Sequence, residues 1–390
     1  MASTTLTSAQ SDRVIALCRD LVRAESLAGR ESAAAAVAEQ AMRELGYDEV
    51  FVDPYGSVVG VIKGAAPGPN LHFDGHLDVV PATARNSWQH DPFGGELSAG
   101  RIWGRGATDM KGPDAAMLCA AAFVRRNELR GSVTVSLSVG EEELEGEALK
   151  MILRRRPADF VVIGENSNLA VGIGQKGRAG LRLSATGIPA HSSRPEEGKN
   201  AVYALIEAIE RVRALPLPAD DLLGPAVCEL VEIVSSPFPG TSIVPDGCRA
   251  RFDRRLVRGE TPESLLAELR AALQDLSAVQ IDLLDVTLPC YTGAVLRKPD
   301  FHAAWETPHA GVLLRAAEAA LGACGLPVAH FTARYCSNGS ASAAELGIPT
   351  IILGPSDPAL AHTIDEYIAV DELERGCAVY IALIEQILRT

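Results

Sequence analysis

The chain has 390 residues, 47% of them hydrophobic, and a formal net charge of −14. It holds no run of 18 apolar residues, so no membrane-spanning helix is predicted. Its acidic balance argues against nucleic acid or an anionic membrane surface as partner. That length suggests two domains, or one domain carrying an insertion. The N-terminal segment lacks a basic stretch followed by an apolar one, so no secretory signal is predicted. Eight cysteines (Cys18, Cys119, Cys228, Cys248, Cys290, Cys324, Cys336 and Cys377) are scattered without a C-x-x-C pair. They form neither a disulfide framework nor a thiolate zinc site, and read as reduced thiols of a cytoplasmic protein.

In chain order, Ser11 or Asp12 is a possible cap for a first helix with apolar Val14, Ile15, Leu17, Cys18, Leu21 and Val22. An alanine-rich helix spans about 31–45. The strands "EVFVD", "SVVGVIKG" and "NLHFDGHLDVV" follow, then the helix "PDAAMLCAAAFVRRNE". "GSVTVSLSVGEEE" and "ADFVVIGE" read as strands with acids at their ends. Helices alternating with apolar strands predict an α/β fold, a mixed sheet covered by helices.

Near Gly177 the pattern changes. "RAGLRLSATG" alternates as a half-exposed strand does. The helix "KNAVYALIEAIERVRAL", the strands "CELVEIVSS" and "CRARFDRRLV", and a helix with Thr261 as cap and Pro262 at its first position follow. "VQIDLLDVTLP" closes the set. This order predicts a ferredoxin-like α+β unit inserted into the first domain. The expected boundaries are 1–177 and 289–390 for the catalytic domain and 178–288 for the insert. From Tyr291 onward helix and buried strand return, in "HAGVLLRAAEAALGAC", "PTIILGP" and "DELERGCAVYIALIEQIL".

Ligands of open α/β sheets bind beyond the carboxyl ends of strands. Acids and histidines gather at five such places: His76 and Asp78, Asp109, Glu141 and Glu142, Glu165, and His362. Singly, the acids read as solvated loop residues, the adjacent glutamates as the acidic first turn of a helix and His362 as a surface or core residue. Together they supply a nitrogen and oxygen donor set suited to zinc, manganese or cobalt. In the same stretch as His76, His72 and Asp74 share its strand face but sit further back, and read as structural or solvated.

The ordered motifs "GHLDVVP", "IWGRGATDMKG", "VGEEELEG", "VIGE", "GIPAHSSRPEEGKNA", "DRRLVRGET" and "LGPSDPALAHTIDE" resemble the M20 metallopeptidase family. That group includes acetylornithine deacetylase, succinyl-diaminopimelate desuccinylase, carboxypeptidase G2 and aminoacylase-1. "YTG", "CSNGS" and "EGEAL" are most similar to the YgeY-like branch. The resemblance implies a zinc-exopeptidase-like catalytic domain with an inserted ferredoxin-like lid and dimerisation domain. It implies two divalent ions, with zinc first and cobalt or manganese as alternatives. His76 and Glu165 would hold one ion, Glu142 and His362 the other, and Asp109 would bridge them. Asp78 would orient His76 through its other ring nitrogen. A cis peptide is implied after Asp109. Glu141 would be the general base that activates a bridging water. His191 would reach the other subunit's site of a homodimer and help stabilise the oxyanion. Arg255, with Arg254 as competitor, would face the substrate, and Asn338 and Gly339 would line its pocket. Ser242 and Ser356 depart from the family pattern, where asparagine and glycine are usual.

These features predict a metal-dependent amidohydrolase acting on an N-acyl amino acid or related small amide. A dipeptidase or aminopeptidase of the same family is the alternative, and a non-catalytic metal-binding relative the third reading. "GIGQKG" (Gly172, Gly174, Gly177) matches a dinucleotide fingerprint literally, but a strand-like segment follows it where a helix is required, so no nucleotide cofactor is expected. No G-x-S-x-G elbow marks a serine hydrolase.

Overall fold

The protein's structure, a computed structural model, describes residues 5–307 and 311–389. Helix α1 (Ser8–Arg23) starts earlier than its apolar stripe suggested. Thr7 accepts the Gln10 N–H while the Gln10 side chain accepts the Thr7 N–H, a capping box that leaves Ser11 and Asp12 inside the helix. Its stripe of Val14, Leu17, Cys18, Leu21 and Val22 is buried. Helix α2 (Ser32–Glu44) buries alanines and Met42. Alanine loses no side-chain entropy in a helix, which favours the segment.

The main sheet is mixed and has nine strands. In chain order eight of them are β1 (Glu49–Val52), β2 (Val58–Lys63), β3 (Ala66–His76), β4 (Arg130–Ser138), β5 (Phe160–Ile163), β6 (Val171–Gln175), Trp305–Glu306 and His330–Ala333. The ninth is Thr350–Ile352, which lies between β5 and β6. Strand β3 lies between β4 and β5, parallel to both. Alternation buries both faces. Val162 and Ile351 join a core with α1, with α3 (Gly112–Phe123), and with the C-terminal helices Val312–Ala323 and Val370–Leu388. Val161, Ile163 and Ile352 face the other way, against Leu149 and Leu153 of α4 (Glu147–Arg155). His309, within the segment read as the start of the helix at 312, lies outside the described residues.

Segment 177–302 builds a separate antiparallel sheet from Gly177–Thr186, Val227–Ser236, Gly247–Leu256 and Val279–Leu283, with Phe301–His302 added at one side. The spatial order is 279–283, 177–186, 247–256, 227–236, a ferredoxin-like arrangement. Helices α5 (Ala201–Arg213) and α6 (Pro262–Ala272) cover one face and share a core with Leu181, Leu183, Ala250 and Phe252. As read, Thr261 caps α6 ahead of Pro262, here with Ser264 returning the bond. One strand differs. "DVTLP" (Asp285–Pro289) pairs with Val295–Pro299 as a hairpin and not with the second sheet. The chain returns from that sheet only after His302, past the expected position of 288.

Gly75 shows how closely the layers approach beside the site. A Cβ there would lie 1.9 Å from Asp114 Oδ1 of α3, so the position between Asp74 and His76 admits no side chain.

Candidate metal centre

Strand β3 ends on His76, which places the imidazole at the sheet's carboxyl edge. Its Nε2 lies 3.3 Å from Asp109 Oδ1, 3.7 Å from Glu165 Oε1 and 3.9 Å from Glu141 Oε2. His362 Nε2 lies 3.2 Å from Asp109 Oδ2 and 3.1 Å from Glu142 Oε1. The two oxygens of Asp109 thus face two different histidines, as a carboxylate shared by two cations would. The Asp109–Met110 peptide bond is cis. Two sets of donor atoms cluster within 4.8 Å: His76, Asp109 and Glu142, and His76, Glu141 and Glu165.

The electrostatics fit cations. Asp109 Oδ1 and Glu141 Oε1 are buried without a hydrogen-bond partner, an arrangement that leaves carboxylate charge uncompensated. Burial pushes the Glu165 carboxyl up to about 8, with Asp109 adding to the effect, and raises Glu141 and Glu142 as well. His362 is pushed up to about 10 by Asp109 and Glu142. For His76 burial works against protonation, but the neighbouring acids, Asp109 first, outweigh it and raise the pKa. Asp109 moves the opposite way from the glutamates: burial raises it, but the adjoining His362 and His76 rings favour its charged form and outweigh that. The clustered donors are nitrogen and oxygen only, a set that suits divalent ions.

Asp78 makes a different contact from the expected one. The His76 Nδ1 partner at 2.9 Å is the Asp78 backbone carbonyl, and the carboxylate stands 3.8 Å away. That carboxylate instead accepts the N–H groups of Glu141 and Glu142, each at 3.0 Å. Both glutamates lie in a turn, not in extended chain. It is the turn, anchored by Asp78, that presents them.

The remaining residues lie apart from this group. His191 is exposed in the second unit, and its Nδ1 accepts the Ser193 N–H at 3.1 Å. Arg254 is buried and paired with Glu260 at 2.6 Å, whereas Arg255 is half-buried with Nε 2.9 Å from Asp253. Asn338 spends its amide internally. Its nitrogen donates to Asp74 at 2.8 Å and Ser138 at 2.9 Å, and its oxygen accepts the Gly146 N–H at 2.6 Å. Gly339 packs against the Trp305 ring.

Of the two readings given for His72 and Asp74, the structural one holds, and further groups near the site carried no reading. His72 and Asp74 are fully buried, not solvated, and both meet Ser136. Glu145, on the loop after Glu141 and Glu142, holds Arg178 at 2.7 Å and His302 at 3.4 Å, the two residues where the chain crosses between sheets. Glu366 and Arg105 are buried behind Asp109. An arginine in "GRGATDM" and an acid four residues after His362 were the available signals.

The profile of peptidase family M20/M25/M40 matches residues 72–386. The chain belongs to the M20 peptidase family. It is 31% identical over 379 residues to the uncharacterized protein YgeY of Escherichia coli, covering 94% of this chain and 92% of that one. It is also 31% identical over 390 residues to succinyl-diaminopimelate desuccinylase of Methylobacterium radiotolerans, covering 95% of both. An M20 family metallo-carboxypeptidase from Sulfolobus solfataricus superposes with a TM-score of 0.76 at 17% identity, over 96% of this chain and 99% of that one. A dinuclear metal-binding M20 peptidase from Bacillus subtilis gives 0.69 at 16% identity, over 98% and 99%. The structural likenesses establish the shared fold. Family membership makes this M20 chain a hydrolase of the metal-dependent peptidase and desuccinylase group.

Proposed function

We propose that this M20 protein removes the acyl group from an N-acyl amino acid, or cleaves a closely related small amide, with two divalent ions, zinc before cobalt or manganese. The observation that carries this reading is Asp109, whose oxygens face His76 on one side and His362 on the other. His76 and Glu165 would hold one ion and Glu142 and His362 the other. Bound there, the ions would supply Lewis acidity and a water acidified to react near neutral pH.

The chain supplies the rest. Glu141 is buried, fixed by Asp78, and has one oxygen free of any hydrogen bond. It accepts the proton of the attacking water. Burial and neighbouring acids raise its proton affinity, so it can hold that proton and pass it to the leaving amine. His191 is the donor toward the oxyanion. Arg255, on the sheet face opposite the helices, would receive the substrate's carboxylate.

His191 would act across a homodimer. Strand Val227–Ser236 is an edge strand carrying exposed Val227, Val231 and Ile233, and α5 beside it exposes Tyr203 and Ile206. A free apolar edge of this kind pairs readily with a second copy. The eight unpaired cysteines support a cytoplasmic setting. A hydrolysis screen of N-acyl amino acids against dipeptides, with metal added, tests the proposal. Turnover of acyl amides over dipeptides supports it; turnover of dipeptides with a free amine alone favours the dipeptidase reading.

A further inference from the structure

His76 ends one paired strand of the main sheet and Glu165 closely follows another, which fixes both. Asp109 and His362 lack that support. Asp109 sits in the turn Ala107–Lys111 with non-helical backbone angles. His362 is on a loop with φ +62° and a half-exposed side chain. Yet these two must be held 3.2 Å apart, although 253 positions separate 109 from 362 in the chain.

Buried side chains join their segments. Glu366 is fully buried, and its Oε1 accepts the N–H groups of Thr108 at 2.9 Å and Asp109 at 3.0 Å. Its Oε2 pairs with Arg105 Nη1, and Arg105 Nη2 donates to the His362 carbonyl at 3.4 Å. Thr108 Oγ1 donates to the Tyr367 carbonyl at 2.6 Å and stands 2.8 Å from Ser356 Oγ. Ser356 has φ +77°, in the left-handed region. A serine stays there only where its surroundings hold it.

We propose that Glu366, acting with Arg105, is a positioning residue for the second metal: it fixes the backbone of Asp109 and, through Arg105, the loop that carries His362. This rests on the metal-enzyme reading above. The ion between Glu142 and His362 depends on the clasp more than the ion between His76 and Glu165, because only the latter has both of its own ligands at strand ends. A carboxylate clasped by a buried guanidinium and two amides acts through geometry and charge together, so an isosteric amide disrupts it.

The test is calorimetric titration of chelator-stripped protein with zinc, with stoichiometry checked by elemental analysis. Wild type is expected to bind two ions per chain. Glu366→Gln, which turns an NH2 toward Arg105 or toward the two amides, is expected to weaken one ion at least tenfold more than the other, which shares only Asp109 with the clasp. Glu366→Ala should weaken that ion further. Two ions bound to Glu366→Gln as tightly as to wild type, or equal weakening of both, would overturn the assignment. The Gln variant decides the matter even if the Ala variant fails to fold. A wild type that takes up no ion would remove the metal reading itself, a distinguishable failure.

Discussion

Asp78 accepts the backbone N–H of Glu141 at 3.0 Å, and its second oxygen accepts that of Glu142 at the same distance. One buried carboxylate thereby sets the position of the proposed base and of a proposed metal ligand together. Asp78→Ala would release the turn. kcat is expected to fall about 100-fold, the scale of a base misplaced by about 1 Å. KM should change little, because no substrate contact is lost. Steady-state kinetics with unchanged kcat would contradict this role for Asp78.

Asn338 separates a structural from a substrate role. Its truncation to Ala would strand Asp74 Oδ2 and the Gly146 N–H in a buried site. Each stranded group costs about 1–3 kcal/mol. Chemical denaturation should show that loss, while KM for the screened substrate stays as in wild type. A raised KM with unchanged stability would restore the pocket role.

His72 predicts a pH dependence. It is fully buried with Nε2 2.7 Å from Ser136 Oγ and no partner at Nδ1. Burial pushes its pKa down to about 3, with Arg156 adding to the shift. The unfolded chain therefore binds more protons than the fold between about 6.5 and 3. The neutral ring's contribution to stability is complete above about 6.5 and is lost as pH falls through that window, with a slope of about 1.4 kcal/mol per unit. Melting temperatures of metal-free wild type and His72→Gln should converge as pH drops from 7 to 4. A constant difference would contradict the buried neutral ring.

The proposed dimer has its own variant. Val231 is 59% exposed, at an irregularity of the edge strand. A lysine there would meet its symmetry mate or hydrophobic neighbours in the assembled sheet. Val231→Lys should shift the protein from dimer to monomer in light scattering and lower kcat, since His191 would lose the site it serves. A fully active monomer would contradict the role of His191 across the interface.

The sequence displays some of this arrangement directly. Acids and histidines at strand ends are visible because strands alternate and end where the turn residues begin, and the structure gathers His76, Asp109, Glu141, Glu142, Glu165 and His362 in one place. The face shared by His72, Asp74 and His76 was also legible. Its burial was not. The partners opposite it, Thr134, Ser136 and Ser138, form a matching polar row on β4, a signal that "SVTVSLS" contained. What periodicity cannot supply is which distant segments meet. Asn338 and Asp74 are 264 positions apart, and Glu366 and Asp109 are 257 apart. The side chains that brace the site depend on such pairings. For the same reason "CSNGS" looked like a pocket wall, when its asparagine is consumed inside.

The most direct test follows amine release from an N-acyl amino acid while chelator-stripped protein is titrated with zinc, cobalt or manganese. The account predicts that activity rises to a plateau at two ions per chain. It also predicts that Glu141→Gln takes up two ions with turnover lowered at least 10²–10⁴-fold, the range for a lost general base. Absence of metal-dependent amide hydrolysis at any loading, or near wild-type kcat in Glu141→Gln, would contradict it.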